Sequence, residues 1–323
     1  MTVVISVIIP TRNRKDILEN TIILLESQTL DKSLFEVVVV DDGSEDGTDV
    51  YMNELSTPLA LKYFRQDFQG ASHARNVGLK NAVGEFVIFL GDDVHPSQDL
   101  LKIYFDIFQK SDERTFFIGK TIWAKHLLKS SFISYLENNS QAQFRFTAIK
   151  DKQNVPPQYF NTANSGIPLR YIISCGLFDE NLTLYEDTEL GMRLDKLGLK
   201  LKYLDNAVAY HNHKVTLKSY LDRQIIAGEN AFLCSLNDPA NRKIYSFYQA
   251  FLFKGNPFLL PKKLFKLIFF NKYTVPFYIK YLEDDSKQFL QTFIFNGLLG
   301  YYHKIGVIEQ YKLFKTTKKM KHY

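Results

Sequence analysis

The sequence predicts an α/β protein, with a doubly wound, mostly parallel sheet followed by a helical C-terminal extension. Three observations predict it. Continuous apolar runs rich in β-branched residues alternate with helix-length segments over the first hundred residues. Polar or acidic clusters follow three of those runs, and the composition shifts near the C-terminus. The 323 residues are 46% hydrophobic and 23% charged. That balance allows packed cores in two units and excludes a disordered chain, a collagen-like fibre and a coiled-coil rod.

Val3–Ile9 reads as a first strand buried on both faces; it is too short for a signal peptide and lacks a basic segment before it. Asn13 is placed to cap a helix through about Gln28, with Ile17, Leu18, Leu24 and Leu25 on its apolar face. Phe35–Val40 is a second strand that runs into the turn Asp41-Asp42-Gly43-Ser44, and Ser44 or Asp46 caps a short helix to Leu55. Leu59–Phe64 makes a third strand and Gly70–Val83 a helix closed by Gly84. Glu85–Leu90 is a fourth strand that stops at Gly91-Asp92-Asp93, before a helix over Ser97–Lys110. Thr115–Trp123 is another strand, whereas residues 124–165 mix polar and aromatic residues without a period. Order returns at Arg170–Cys175 and in the helix Glu186–Leu197, which Gly198 stops. Two short strands, Lys200–Leu204 and Ala207–Tyr210, precede a helix over 218–236. No apolar run approaches the roughly 18 residues of a spanning helix. Cys175 and Cys234 have no metal-binding spacing and suit a reducing compartment, so a cytoplasmic protein is expected.

In such sheets, ligands bind beyond the carboxyl ends of the strands. Pro10-Thr11-Arg12-Asn13, Asp41-Asp42-Gly43 and Gly91-Asp92-Asp93 all fall there and are expected to face one crevice. Neither G-x-G-x-x-G nor G-x-x-x-x-G-K-[ST] occurs, which argues against a dinucleotide fold and a P-loop. Adjacent Asp92 and Asp93 suit a hard divalent cation, Mg²⁺ or Mn²⁺; the plain alternative is a solvated turn or a helix cap. Glu186 and Asp187 open a helix, with Glu189 in the same turn, where the helix dipole alone favours acids. His211 is a ligand candidate beside an ordinary structural reading. His73, His95 and His126 show no partner and read as loop or surface residues.

Taken in order, these pieces resemble a known family. They are Ser6-Val-Ile-Ile-Pro-Thr-Arg-Asn13, Val-Val-Val-Asp-Asp-Gly-Ser44 with Asp46-Gly-Thr48, Ala74-Arg-Asn-Val-Gly78, Phe89-Leu-Gly-Asp-Asp93, Phe178-Asp-Glu180, Glu186-Asp-Thr-Glu-Leu-Gly191 and Arg193. The sequence is similar to the family 2 glycosyltransferases, inverting enzymes of the GT-A fold that use nucleotide sugars. The likeness covers residues 3–213 and implies a catalytic domain over 1–217, divided into a nucleotide-sugar half (about 1–110) and an acceptor half (about 111–217). It implies that Pro10, Thr11 and Arg12 line the nucleoside pocket, that Asp42 bonds the base, and that Arg75 and Asn76 lie near the phosphates. Asp92 would serve ribose or metal, and Asp93 would be the main metal ligand, completed by His211. Gly91 stands where the family carries the first acid of its D-x-D element. Asp187 matches the catalytic base, with Glu186 competing for that role.

The implied function is transfer of a sugar from a nucleotide-diphosphate sugar to a hydroxyl of a glycan or lipid-linked acceptor, in surface polysaccharide or glycolipid synthesis. Inversion turns an α-linked donor into a β-linked product. Two alternatives stand beside it. One is a nucleotide-binding scaffold of the same fold without turnover. The other is a metal-dependent nucleotidyltransferase, for which residues 8–16 lack a Gly-rich basic loop.

The net charge of +5 conceals a segregation. Residues 241–323 hold 15 Lys and Arg against 4 Asp and Glu, a surplus larger than that of the whole chain, so the rest is acidic. They also hold 21 of the 47 aromatic residues. Phe247–Phe251, Lys262–Phe270 and Tyr311–Lys315 interleave Lys with large aromatics, as interfacial helices do. The helical region 218–323 is expected either to pack its aromatics on the body or on a second copy, or to dock on an anionic membrane at its inner face. Nucleic acid is disfavoured, because no RNP1-like motif or zinc-finger spacing is present.

Overall fold

The computed structural model describes residues 3–128, 130–138, 144, 146–238, 268–282 and 290–320. Two compact units divide the chain: Met1–Lys129 with Leu136–Lys214, and Ser130–Tyr135 with Val215–Tyr323.

The first unit is built on an eight-stranded sheet in the order β3-β2-β1-β4-β7-β6-β8-β5. Its strands are β1 (Ile5–Thr11), β2 (Phe35–Asp42), β3 (Ala60–Gln66), β4 (Phe86–Leu90), β5 (Val94–Pro96), β6 (Thr115–Trp123), β7 (Asn164–Pro168) and β8 (Lys200–His211). Strands β1 to β4 pair in parallel, as does β6 with β8. Strand β7 runs antiparallel to both β4 and β6. The carboxyl ends of β1, β2, β3, β4, β6 and β8 therefore share one edge.

Helices α1 (Lys15–Glu26), α2 (Thr48–Glu54), α3 (Ala71–Asn81), α4 (Leu100–Phe108), α5 (Ser131–Asn138), α6 (Leu169–Ser174) and α7 (Glu186–Lys196) connect the strands. Successive strand residues face opposite sides, so one sheet feeds two cores. Ile5, Val7 and Ile9 pack with Leu18, Ile22, Leu25, Tyr104 and Phe108, on the side of α1 and α4. Ile8, Val38 and Val40 pack with Ala74, Leu79, Leu190 and Leu194, on the side of α3 and α7. Burial on both sides explains the unbroken apolar runs, and the doubly wound, mostly parallel sheet is the architecture that the sequence predicts.

Several local expectations need correction. Arg14, not Asn13, precedes α1 as its N-cap. Asn13 has φ 51°, and its Oδ1 accepts from Glu45 N (2.7 Å), so its short polar side chain staples a neighbouring loop instead of capping its own helix. Gly47, at φ 83°, is the N-cap residue of α2, but Asp46 does meet its first residue, with Oδ1 accepting from Thr48 N (3.2 Å) and Thr48 Oγ1 (2.6 Å), while Oδ2 accepts from Lys15 N in α1 (2.9 Å). Strand β2 extends through Asp41 and Asp42, because Thr11 and Gln66 pair with them in register. Residues 94–96, placed before a helix, form a strand antiparallel to β8. The two short strands at 200–210 are one, β8, with a register shift opposite Gly119/Lys120. Strand β7 falls at the end of the stretch without period, where tertiary pairing and not local pattern makes the strand.

The second unit contains α8 (Leu217–Asn237), α9 (Val275–Leu282) and α10 (Gln291–Met320). Thr216 and Ser219 form a capping box at the start of α8. A Cβ at Gly228 would stand 2.0 Å from His303 O, and one at Gly306 1.8 Å from Ile225 O, so α8 and α10 approach at a distance only glycine permits. Phe132 and Tyr135 pack on Phe295. Of the aromatic tail segments, Tyr311 and Phe314 lie against Phe232 of α8, whereas Phe247–Phe251 and the 262–267 part of Lys262–Phe270 lie outside the described residues. No helix among the described residues is long and apolar enough to cross a membrane.

At the amino edge of the sheet, Glu36 is buried in β2 and serves as a common acceptor. Its Oε1 accepts from Ser6 Oγ (2.6 Å) and Val83 N (2.8 Å), and its Oε2 lies 2.8 Å from Lys62 Nζ. Glu36→Ala leaves Ser6 Oγ and Val83 N without this acceptor, while Lys62 Nζ keeps its bond to Asn81 O (3.0 Å). With Lys62 partly solvated, the expected loss is roughly 2 kcal/mol, read as a lower urea midpoint with unchanged m-value.

Candidate functional site

The shared carboxyl edge collects the polar strand ends named above, and nearly all of their acids are buried. Asp41 and Asp42 close β2. Asp41 accepts from Ser44 N (2.8 Å) and Tyr63 Oη (2.8 Å). Burial, with this hydrogen bond adding to it, pushes the Tyr63 hydroxyl well above its ordinary range. Asp42 accepts from Gln66 Nε2 (2.8 Å), Gln69 N (2.8 Å) and Gly70 N (2.9 Å), so it holds the loop leading into α3. The expectation of acids lining an open crevice is corrected for Asp41, whose carboxylate is fully enclosed. Arg12 is exposed, and its guanidinium lies 3.6 Å over the ring of Phe68 at the tip of that loop. Pro10 is half-buried and Thr11 buried, both at the end of β1.

The second cluster is centred on Asp92 and Asp93, which are 5% and 7% exposed. Thr11 Oγ1 donates to Asp92 Oδ2 (2.9 Å), and Thr21 Oγ1 donates to the Asp92 carbonyl (2.7 Å). Asn212 N donates to the Asp93 carbonyl (2.7 Å). Arg14 Nη1 reaches both side chains, at 2.8 Å from Asp92 Oδ1 and 2.7 Å from Asp93 Oδ2. At the end of β8, His211 Nε2 lies 3.6 Å from Asp93 Oδ1, and two residues beyond the strand His213 Nδ1 lies 4.0 Å from Asp93 Oδ2. Trp123 fixes the His211 ring edge-on at 4.5 Å. Burial pushes Asp92 up to about 6, opposed by Arg14 and reinforced by Asp93. Burial also pushes Asp93 upward, but His211, Arg14 and His213 outweigh it and hold Asp93 below the ordinary carboxylate range. Adjacent acids are thereby separated, and Asp93 is the strongly ionised one.

Among the described residues, no group of three His, Cys, Asp or Glu side chains is set as a ready metal site. The donor chemistry nonetheless fits a divalent cation: two carboxylates with imidazoles behind them, and a positive guanidinium already between the carboxylates.

The third cluster joins α3 to α7. Arg75 Nη1 donates to Glu186 Oε1 (2.9 Å), and both side chains are largely buried. The Arg75 Nε is buried without a hydrogen-bond partner. Asn76 donates through Nδ2 to Phe178 O (3.0 Å) and Glu180 Oε1 (2.8 Å), and accepts from Phe178 N (2.9 Å). Arg193 pairs with Glu189 and donates to Cys175 O (2.6 Å) and Leu177 O (2.7 Å), which anchors α7. Tyr185, at φ 66°, turns the chain into α7, and Asp187 follows in the first turn, half-buried, with Oδ1 accepting from Thr188 N (2.7 Å).

Asp92, Asp93, His211 and Thr11 are thus brought together, and Asp42, Arg75 and Asn76 are each tied to a loop or helix of their own. Arg14, His213, Thr21 and Phe68 were not singled out from sequence. Arg14 directly follows the quoted Asn13, and His213 lies two residues beyond His211, so only their neighbourhood in the motifs could have marked them.

The fold is similar to that of solved GT-A glycosyltransferase structures. It superimposes on a solved mannosyltransferase of Pyrobaculum calidifontis, determined in complex with GDP-Man and Mn²⁺, with a TM-score of 0.62 at 19% identity, covering 95% of this chain and 86% of that one. Residues 6–150 match the model of glycosyl transferase family 2. The chain is 27% identical over 278 residues to the uncharacterized glycosyltransferase YfnE of Bacillus subtilis, covering 71% of this chain and 69% of that one. It is 30% identical over 259 residues to hyaluronan synthase of Pasteurella multocida, covering 71% of this chain but only 26% of the synthase.

The Asn76 geometry yields a prediction that separates stability from binding. Asn76→Ala deprives the buried Phe178 N–H and C=O of partners and should cost about 2 kcal/mol, seen as a lower Tm without nucleotide. An unchanged Tm with lost nucleotide binding would instead make Asn76 a direct ligand.

Proposed function

We propose that the protein is a metal-dependent, inverting glycosyltransferase that moves a sugar from a nucleotide-diphosphate sugar to a hydroxyl of a glycan or lipid-linked acceptor, in polysaccharide or glycolipid synthesis. The observation that carries this reading is the buried Asp92–Asp93 pair at the carboxyl edge, faced by His211, in a chain matching the family 2 model. Relatives that include a hyaluronan synthase support the polysaccharide role.

Asp93, Asp92 and His211 would hold Mn²⁺ or Mg²⁺, whose charge stabilises a departing diphosphate. The chain's own residues do the rest. Pro10, Thr11 and Arg12 bind the nucleoside, with Phe68 extending the Arg12 surface. Asp42 orders the loop beside the base and presents its remaining lone pair to it. The unmatched Arg75 Nε offers a donor toward the phosphates. Asp187 takes the proton from the attacking hydroxyl. Glu186 is less suited, because Arg75 already holds its carboxylate in a largely buried pair. An ionised carboxylate at neutral pH is a competent base. Attack opposite the leaving diphosphate inverts the anomeric centre. The nucleotidyltransferase alternative gains no support from residues 8–16, and turnover separates this reading from a silent scaffold.

Asp187→Asn keeps the size and the bond to Thr188 N but removes the base. Turnover should fall roughly 10²-fold or more with nucleotide affinity nearly unchanged, measured by single-turnover kinetics and calorimetry. Equal loss of both would assign Asp187 to binding instead.

The second unit is proposed to rest on anionic membrane. In its described part, Tyr273 and Phe277 are 72% and 75% exposed, and Ile268 is exposed as well. Lys272 and Lys280 flank these side chains. Each lysine near acidic lipid contributes about 1 kcal/mol, weakened by salt, and the aromatics add an interfacial contribution that salt does not remove. The full chain should co-sediment with anionic vesicles, and Tyr273→Ser with Phe277→Ser should release most of it. Release unaffected by these changes, or a defined oligomer dissolved by them, would identify another partner.

A further inference from the structure

We infer that Arg14 is the resident counter-ion of the Asp92–Asp93 pair and must release Asp93 before a divalent cation can bind there, an inference that rests on the metal reading above. A single nitrogen, Arg14 Nη1, is shared between Asp92 Oδ1 at 2.8 Å and Asp93 Oδ2 at 2.7 Å. It stands between the two acids that would hold the cation. The acids are buried, so opposing charge there is needed at all times. With Gly91 in place of a further acid, one guanidinium already offsets half of the pair's charge.

The mobility of the partners is unequal. The Arg14 side chain is 33% exposed and has solvent to move into, whereas those of Asp92 and Asp93 are 6% and 10% exposed. The acids are also held without Arg14. Thr11 Oγ1 bonds the Asp92 carboxylate, Thr21 Oγ1 the Asp92 carbonyl, and Asn212 N the Asp93 carbonyl. Arg14 can therefore keep Asp92 and give up Asp93. Its freed N–H groups then need an anion, and a nucleoside diphosphate supplies one. Metal and nucleotide should consequently bind with positive coupling: weakly each alone, tightly together.

Mn²⁺ binding is measured by electron paramagnetic resonance on the full chain, for the wild type and Arg14→Met, without nucleotide and with UDP or GDP. Removing a competing positive charge a few ångströms away should tighten Mn²⁺ binding without nucleotide by about ten-fold or more and remove most of the nucleotide enhancement. Arg14→Lys should stay near the wild type. Unchanged or weaker Mn²⁺ binding by a folded Arg14→Met protein overturns the inference, because an arginine that merely organised the acids would weaken binding when lost. Should that variant fail to fold, wild-type crystals grown with Mn²⁺ and nucleotide decide. Arg14 Nη1 should have left hydrogen-bond distance of Asp93, and an intact contact beside a bound ion overturns the inference. If neither protein binds Mn²⁺ under any condition, the metal reading falls and the inference with it; Mn²⁺ bound without movement of Arg14 removes the inference alone.

Discussion

Four carboxylates, those of Asp41, Asp42, Asp92 and Asp93, are buried at the carboxyl edge of one sheet, and each needs donors or a counter-charge to remain there. The surrounding structure is arranged to meet that need. Ser44 and Tyr63 serve Asp41, Gln66 and the start of α3 serve Asp42, Thr11 and Arg14 serve Asp92, and Arg14 with two histidines serves Asp93. Two of the acids spend their oxygens on loops. The other two meet a single shared arginine, which leaves them the less completely satisfied pair.

That division also orders the rest of the first unit. By fixing the 66–70 loop, Asp42 sets where α3 begins. α3 in turn carries Arg75 to Glu186 and Asn76 to the backbone at Phe178. Through these contacts, with the Arg193–Glu189 pair as an anchor, the first turn of α7 is positioned relative to the carboxyl edge of the sheet. A base at Asp187 would thus inherit its placement from a chain of hydrogen bonds that starts at a strand end.

Much of this was legible in the sequence. The apolar runs of β1, β2 and β4 exist because both faces are buried, and burial on both faces leaves a pattern that needs no tertiary knowledge. The end of β4 at Leu90 was equally plain, whereas β1 and β2 run past their apolar runs, because Thr11, Asp41 and Asp42 still pair in register. Strand β7 was not legible, because Asn164 and Ser165 are polar residues buried by tertiary contacts, Asn164 accepting from Tyr104 Oη of α4 and donating to Ala207 O of β8. The cap at Asn13 was misassigned for a related reason: Glu45 and Ser44, over thirty residues away, compete for its side chain and backbone. Arg14 was invisible as a site residue, since an arginine after a strand end ordinarily faces solvent. In the second unit, composition marked a basic, aromatic region but could not divide it. Tyr311 and Phe314 serve helix packing, while Tyr273 and Phe277 face outward.

Whether the Asp92–Asp93 pair is a working metal–diphosphate site is tested most directly by donor consumption. Nucleoside diphosphate release from UDP-, GDP- and dTDP-sugars is followed with Mn²⁺, with a chelator, and with Asp93→Ala in place of the wild type. One donor should be consumed by the wild type with Mn²⁺, and both the chelator and the substitution should abolish it while the fold persists. Consumption that survives chelation and Asp93→Ala alike would contradict a metal site at this edge.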